Sequence, residues 1–240
     1  MSLQGSSPMI FGGLQKHSLI DFPGKMSCVL FLCGCNFRCP YCHNPDLARG
    51  CPSCETRVSE GDVFAFLEQR RGLLDGVVVS GGEPTLAPDL PALCARLQNM
   101  GFSVKLDTNG SRPRVLHHLI EAGLVDYVAM DVKTDPLHYD LLAREHGTLS
   151  QILTSIQLIL DSSVDYEFRT TCVRPLVTES AIATIARMIQ GAKRYLLQRF
   201  RPEEVLDPSF FKDRNSTFTE DELLQFQALA QPWVKECQLR

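Results

Sequence analysis

The chain has 240 residues, of which 44% are hydrophobic, with a formal net charge of −4 and ten cysteines. This length and composition suffice for a full hydrophobic core, and the acidic balance offers no basic surface for nucleic acid, so we set nucleic-acid binding aside. No apolar run reaches the roughly 18 residues of a membrane span, and Met1 to Pro8 lacks the blocks of a signal peptide. We therefore expect a cytoplasmic protein without a membrane partner, whose reduced thiols serve metal binding or catalysis.

Short β-rich apolar runs alternate with helical patterns along the chain, which is typical of βα units around a parallel sheet. Six strands are predicted, at Ser27–Leu32, Gly76–Ser80, Ser103–Asp107, Tyr127–Val132, Tyr166–Cys172 and Arg194–Leu197. Apolar spacings of three and four predict helices at Glu60–Gln69, Pro88–Met100, Val115–Glu121, Leu149–Leu160, Glu179–Ile189 and Glu220–Leu229. We expect an α/β fold with one barrel-like domain over residues 1–240.

The two ends of the chain are expected to lie outside this repeating pattern. Residues 1–11 are predicted to be a flexible N-terminus, and residues 202–240 a C-terminal extension that carries the last helix. Thr219 and Glu222 occupy the positions of a capping box at the start of that helix. The proline-rich stretch Pro202 to Pro208 is predicted to be a surface connection.

Three cysteines directly after the first predicted strand carry the clearest chemical signal. Cys35, Cys39 and Cys42 have C-x3-C-x2-C spacing and lie at the carboxyl end of that strand, where parallel α/β barrels form active sites. Three thiolates do not fill the tetrahedral shell of structural zinc, and closed iron–sulfur clusters normally have four cysteines. A [4Fe-4S] cluster on three cysteines leaves one iron open to the amino and carboxylate groups of S-adenosylmethionine (SAM).

Other cysteines nearby leave alternatives open. Cys33, Cys51 or Cys54 could complete a four-thiolate zinc or electron-transfer site with the three cysteines above. The CxxC pair Cys51 and Cys54 could instead bind a separate zinc ion with Cys28 or Cys33, act as a reversible dithiol, or be two inert thiols. A second ferredoxin-like set is missing, because the remaining cysteines occur singly.

The sequence around these cysteines also resembles that of a known enzyme family. The run from Cys35 to Cys42 with His43-Asn44-Pro45 resembles the signature of radical SAM activating enzymes for glycyl-radical proteins. Three stretches most closely resemble the activating proteins of anaerobic ribonucleoside-triphosphate reductase: Gly13-Leu14-Gln15 to Gly24-Lys25, Leu73-Leu74-Asp75-Gly76 and Lys105 to Gly110. The resemblance covers roughly residues 12–240. It implies a partial (β/α)6 TIM-like barrel that holds a [4Fe-4S] cluster and SAM at the carboxyl rim of its strands.

The resemblance also implies a SAM site. Gly81-Gly82-Glu83-Pro84-Thr85 is by itself an ordinary turn after a strand, in which paired glycines allow the backbone to approach a ligand. By resemblance, Gly82 and Glu83 contact the SAM amino group. Further SAM-site residues implied in this way are Tyr41, His43, Asp107, Asn109, Lys133 and Arg169, of which Arg169 binds either SAM or the substrate loop. Packing of Tyr41 and a surface ion pair of Arg169 are the structural alternatives.

The third and fourth predicted strands end in two carboxylates and an ammonium, which belong to Asp107, Asp131 and Lys133. They are either a solvated charge cluster or part of the site. In the second case the two carboxylates would repel the SAM carboxylate unless a cation or Lys133 compensates their charge. The resemblance implies a monovalent cation held by Asp107, Thr108, Asp131 and the backbone carbonyl of Met130, with Lys133 on the SAM carboxylate.

Two more positions follow from the resemblance. Asp21, before Phe22-Pro23-Gly24, matches an acidic residue that touches the glycyl loop of the substrate protein, although an Asp before Pro-Gly is also a common turn residue. A histidine that some relatives place after the sixth strand is absent, and Gln198 or Arg201 stands in that region instead.

The predicted activity is that of an oxidoreductase that activates anaerobic ribonucleoside-triphosphate reductase. A flavodoxin or ferredoxin-type donor reduces the cluster, SAM is cleaved to methionine and a 5′-deoxyadenosyl radical, and this radical removes hydrogen from a glycine Cα of the reductase. The first alternative is activation of another glycyl-radical enzyme, or modification of a small molecule such as a purine-like precursor. The second is a non-enzymatic metal-binding module.

Overall fold

In the described part of the computed structural model, eight strands form one sheet, in which they are ordered as they occur in the chain. The structure describes residues 9–51, 57–144, 148–212 and 215–240. The strands are β1 (Phe11–Ser18), β2 (Ser27–Leu32), β3 (Gly76–Gly81), β4 (Ser103–Thr108), β5 (Tyr127–Asp131), β6 (Asp165–Cys172), β7 (Tyr195–Arg199) and β8 (Cys237–Leu239).

Every neighbouring pair from β2 to β8 is parallel, whereas β1 is antiparallel to β2. The helices are α1 (Pro45–Ala48), α2 (Glu60–Gln69), α3 (Leu90–Asn99), α4 (Pro113–Glu121), α5 (Thr148–Asp161), α6 (Glu179–Met188) and α7 (Glu220–Ala230). Because parallel strands end at one rim, the loops after β2 to β7 meet there. Among the described residues, no helix has the length and apolar character needed to cross a membrane.

The predicted α/β architecture is confirmed: β2 to β7 and the six longer helices occur where the sequence predicts them, with small shifts at their ends. Two edge strands, β1 and β8, were not predicted. Strand β1 contains Gly12 and Gly13, which weaken a strand signal, and β8 has only three residues. Phe11, assigned to the flexible N-terminus by the sequence analysis, is instead buried and pairs with Leu32.

The sheet stays open between its edge strands, and a C-terminal side chain spans the opening. The Arg240 guanidinium donates through Nη2 to the Ile20 carbonyl at 2.8 Å, and the same nitrogen is 3.6 Å from Asp21 Oδ1. Ile20 and Asp21 belong to the turn that joins β1 to β2. The two edges of the partial barrel are therefore linked by a side chain rather than by strand pairing.

The segment after β7 covers the loop that contains the three cysteines. The Leu206 amide donates to the Cys42 carbonyl at 3.0 Å, and the Asp207 amide donates to the Pro40 carbonyl at 3.0 Å. Val205 is buried beside them. The predicted surface connection therefore also packs against the cysteine loop.

The capping box predicted at the start of α7 is present. Thr219 Oγ1 accepts from the Glu222 amide, and Glu222 Oε2 accepts from the Thr219 amide at 2.8 Å. We expect Thr219→Ala to lower the free energy of unfolding by about 1 kcal/mol, measured by urea denaturation. Thr184→Ala within α6 is the matched control and should be neutral or slightly stabilising, since alanine favours helix interiors. Equal destabilisation by both changes would contradict a capping role.

Candidate active site at the strand ends

A cavity of about 270 Å³ lies at the carboxyl rim of the sheet, lined by residues from the ends of β3 to β7 and from the cysteine loop after β2. The predicted site residues that line it are Cys35, Cys39, Tyr41, Cys42, His43, Gly82, Glu83, Asp107, Thr108, Asn109, Asp131, Lys133 and Arg169. Gln198, at the position where a histidine is absent, lines it as well. Residues far apart in the chain thus meet in one pocket, although their individual roles stay predictions.

The three cysteines face this cavity from a loop held by backbone hydrogen bonds. The Gly34 amide donates to the Leu47 carbonyl at 2.7 Å, and the Phe37 amide donates to Cys35 Sγ at 3.3 Å. Burial raises the pKa of the Cys35 thiol to about 11 and that of Cys39 to about 12. Iron binding must therefore displace protons from these thiols.

The arrangement does not resemble a site for one bare ion. Within residues 9–51, 57–144, 148–212 and 215–240, no three cysteine, histidine or carboxylate side chains are grouped to hold a single metal ion. Thiolates of an iron–sulfur cluster bind different irons, so they need not converge on one point.

Two glycines bring the turn after β3 against the cysteine loop. A Cβ on Gly81 would lie 2.2 Å from the Leu32 carbonyl oxygen, and one on Gly82 would lie 2.0 Å from that of Gly34. The Gly82 amide donates to Leu32 at 2.9 Å, and the Glu83 amide donates to Gly34 at 2.7 Å. This packing explains why two glycines are required here and fixes one wall of the cavity.

We expect Gly82→Ala to weaken SAM binding by the cluster-loaded protein by at least about tenfold. The new methyl group overlaps backbone rather than a flexible side chain, so the turn has to move. Titration of SAM followed through the cluster spectrum measures the effect. Gly61→Ala in α2 is the control, because the nearest atom to its Cβ among the described residues, its own helix backbone aside, is Ser59 Oγ at 3.7 Å. Unchanged SAM affinity in Gly82→Ala would contradict the prediction.

Glu83 joins this turn to the end of β4. Its fully buried carboxylate accepts from the Thr85 amide at 3.1 Å, from Thr108 Oγ1 at 2.7 Å and from the Asn109 amide at 2.6 Å. Burial raises the pKa of Glu83, and the hydrogen bonds from Thr85, Asn109 and Thr108 oppose that rise. Asn109 Nδ2 also donates to Asn36 Oδ1 at 3.1 Å, which ties the end of β4 to the cysteine loop. Glu83 therefore positions the cavity wall, whatever its contact with SAM.

An ionic network crosses the floor of the cavity. Arg169 turns inward and bridges both carboxylates, with Nε 2.8 Å from Asp131 Oδ1 and Nη1 3.3 Å from Asp107 Oδ2. Lys133 Nζ lies 3.1 Å from Asp131 Oδ2, and Lys105 Nζ pairs with Asp107 Oδ1. The predicted surface alternative for Arg169 is thus wrong. Sequence reasoning missed Lys105, whose signal is a charged residue in the middle of an apolar strand.

Charge pairing decides the protonation states in this network. Burial raises the pKa of Asp131. The Arg169 guanidinium and the Lys133 ammonium outweigh this effect and lower that pKa to about 2. Burial lowers the pKa of Lys133, but the Asp131 carboxylate outweighs it and keeps that pKa well above its usual range. Lys133 is therefore a permanent cation in the cavity wall, able to attract a ligand carboxylate.

Aromatic rings form the outer wall. Tyr41 meets Phe200 edge-on with ring centroids 6.4 Å apart, and the exposed His43 ring lies 5.5 Å from the same phenylalanine. Tyr41 therefore packs as the structural alternative predicts. Its buried hydroxyl has no hydrogen-bond partner within the described part of the chain. A buried hydroxyl without a partner is energetically costly.

Two predicted site residues do not line the cavity. Met130 is fully buried and packs against Gly110. Asp21 lies in the turn after β1, at the opposite end of β2 from the cysteine loop, where its Oδ2 accepts from Ser18 Oγ at 2.6 Å. Its position beside the Arg240 link places it at the open side of the sheet, so a contact with a substrate loop stays a prediction.

Three of the cysteines outside the C-x3-C-x2-C motif, Cys28, Cys33 and Cys51, lie at positions that the structure describes. Cys33 and Cys51 form a disulfide, which was not among the predicted arrangements and leaves neither thiol free to bind zinc. Cys28 is buried in the core on β2. Cys54 lies outside the described residues. The sequence-based expectation of reduced thiols is thus not met at this pair in the structure.

The residues present fit a three-cysteine cluster with bound SAM. Three thiols, a glycine turn close to them and a permanent cation line one cavity, together with Tyr41. The model of the radical SAM superfamily matches residues 29–189, so the chain belongs to that superfamily. Its cofactors are accordingly a [4Fe-4S] cluster and SAM.

Sequence relatives define the branch of the superfamily. The chain is 36% identical over 221 residues to MJ1227 of Methanocaldococcus jannaschii, which is named as a glycyl-radical enzyme activating enzyme, with 85% of each chain covered. It is 35% identical over 128 residues to the pyruvate formate-lyase-activating enzyme of Streptococcus mutans, covering 50% of this chain and 48% of the relative. The chain is a member of the glycyl-radical-enzyme activating enzymes.

Solved structures support the same fold. SuiB of Streptococcus suis bound to S-adenosylmethionine superposes with a TM-score of 0.61 at 13% identity, covering 86% of this chain and 48% of that one. TYW1 with a lysine-pyruvate adduct superposes with a TM-score of 0.57 at 13% identity, covering 86% and 72%. At this identity the likeness concerns the fold alone.

Proposed function

We propose that this enzyme installs the glycyl radical of an anaerobic ribonucleoside-triphosphate reductase. The observation that carries the proposal is that the stretch Leu73 to Gly76 is joined at the surface to Met26, the residue directly after the stretch that ends at Lys25. The Met26 amide donates to Asp75 Oδ2 at 2.8 Å, and the Asp75 amide donates to the Met26 carbonyl at 2.8 Å. These bonds join the β1–β2 turn to the segment before β3.

Three apolar side chains on these two segments are exposed to solvent. Leu19 is 74% exposed, Ile20 70% and Leu73 61%. Exposed leucine and isoleucine near each other are more typical of a protein interface than of a free surface. The β1–β2 turn also borders the open side of the sheet, beside the link made by Arg240.

The chain's own residues would bind and orient the reactants rather than transfer protons. When bound, the cluster and SAM supply a 5′-deoxyadenosyl radical by one-electron cleavage, with the electron coming from a flavodoxin or ferredoxin-type donor. Lys133 would hold the SAM carboxylate, the turn at Gly82 and Glu83 its amino group, and Tyr41 would close the outer wall. Hydrogen-atom removal needs no general base, so the residues contribute by positioning and by exclusion of water. Glycine suits this reaction because it has no side chain over its Cα.

The test is anaerobic activation of two purified partners. The cluster-loaded enzyme, SAM and a reductant are mixed with an anaerobic ribonucleoside-triphosphate reductase or with pyruvate formate-lyase, and the glycyl radical is quantified by electron paramagnetic resonance. We expect the signal on the reductase. A signal on pyruvate formate-lyase alone would overturn the choice of partner.

A surface variant tests the interface. We expect Leu73→Asp to weaken radical formation on the reductase, because a carboxylate would have to be desolvated at the interface. Leu229→Asp on α7 is the matched control at another exposed leucine. Equal radical yields from both variants would place the partner elsewhere.

A further inference from the structure

Lys105 is a charged residue in the interior of the barrel. It lies in β4 between register partners Val78 and Tyr127, and its side chain is only 1% exposed. A buried ammonium is tolerated only when it is paired. Its partner is Asp107, two residues further along the same face of β4, and its Nζ also lies 5.9 Å from the Tyr127 ring centroid.

Side-chain cations already engage every oxygen of the two cavity carboxylates. Asp107 is paired with Lys105 through Oδ1 and with Arg169 through Oδ2. Asp131 is paired with Arg169 through Oδ1 and with Lys133 through Oδ2. Three cations thus face two carboxylates, so this cluster carries a net positive charge before any ligand binds.

The residues expected to hold a monovalent cation do not fit that ion. Thr108 Oγ1 donates to Glu83 at 2.7 Å and accepts from the Gly110 amide at 3.1 Å, so its proton and one of its two lone pairs are engaged. The Met130 backbone lies within the sheet between register partners Thr108 and Phe168, and its side chain does not line the cavity. An added cation would enter an already positive cluster and compete with ammonium and guanidinium groups for the same oxygens, which is electrostatically unfavourable.

We propose that the Lys105 ammonium is a built-in substitute for the monovalent cation. It neutralises Asp107 from inside the barrel, and Asp107 in turn holds Arg169 against the cavity. Lys105 therefore acts as a positioning residue for SAM binding that makes the enzyme independent of potassium or sodium. The proposal concerns SAM binding and does not depend on which glycyl-radical enzyme is the partner.

The experiment compares wild type with Lys105→Met in buffers of equal ionic strength that contain either potassium or the bulky cation N-methylglucamine. SAM affinity is measured on the cluster-loaded enzyme, and the thermal midpoint is measured on the cluster-free protein. For wild type we expect less than about a twofold difference in SAM affinity between the two buffers. For Lys105→Met we expect about a tenfold loss of affinity in N-methylglucamine, with partial recovery in potassium. The cluster-free variant should also be stabilised by potassium specifically.

Controls separate this role from general stabilisation. Lys193→Met removes a surface lysine that pairs with Asp165 and should show no potassium response. Lys105→Arg keeps the charge and should stay insensitive to potassium. Wild-type enzyme that binds SAM ten times better in potassium would overturn the proposal even if Lys105→Met does not fold. A folded Lys105→Met protein with wild-type affinity in both buffers would also overturn it.

Discussion

Cys39→Ala is expected to abolish the formation of 5′-deoxyadenosine from SAM by the reconstituted, dithionite-reduced enzyme. A three-cysteine cluster has no spare protein ligand, so losing one thiolate leaves a second iron without protein coordination. Cys39 is nearly buried at the cavity wall, and its replacement by alanine offers no substitute donor. The measurement is product per iron under anaerobic conditions, with cluster content determined in parallel.

Cys94→Ala is the matched control for that experiment. Cys94 is fully buried in α3, away from the cavity lining, so the same substitution removes a buried thiol without touching the site. We expect this variant to keep its cluster and its product. A Cys39→Ala protein with an intact cluster and full product formation would show that these cysteines are not the ligands.

Arg169→Met is expected to lower the free energy of unfolding of the cluster-free protein by about 3 kcal/mol. Arg169 bridges two carboxylates, and its removal leaves Asp107 and Asp131 close together with less compensation. Urea denaturation measures the loss. Arg71→Met, which breaks the exposed pair with Glu68, is the control and should cost less than about 1 kcal/mol. Similar losses from both variants would show that Arg169 does not hold the two carboxylates together.

The same variant should change how stability depends on pH. In the wild type, the pKa of Asp131 is lowered to about 2, below the value of about 3.9 for an unfolded aspartate. A lowered folded-state pKa contributes stability that is full above about pH 4 and is lost as pH falls towards 2. Arg169→Met should raise the pKa of Asp131 and flatten this acid-limb slope. An unchanged slope would show that Lys133 alone lowers the pKa of Asp131.

Much of the fold could be predicted because apolar periodicity is a local signal. Strands such as β2 and β3 are apolar along most of their length, since both faces of a parallel sheet are buried. The edge strands could not be predicted in the same way. Half of β1 is polar, and β8 is a strand only because it pairs with β7.

The site was predictable to the level of its residues but not of its pairings. A position at the end of a parallel strand places Asp107, Asp131 and Arg169 at one rim. That position does not predict that the Arg169 guanidinium bridges both carboxylates. Nor does it predict that Lys105 pairs with Asp107 from the interior of the barrel. Those contacts depend on side-chain lengths and directions across neighbouring strands, which the spacing of a motif does not encode.

The hydrogen bonds that Leu206 and Asp207 donate to the cysteine loop bear on when the enzyme acquires its iron. The loop is synthesised more than 160 residues before this cover, so a chain still on the ribosome presents its thiols without it. In the finished fold Cys39 is nearly enclosed. A chain that is still being synthesised therefore offers iron and sulfide a less obstructed route to Cys39 than the finished fold does, in which Cys35 and Cys42 remain partly exposed.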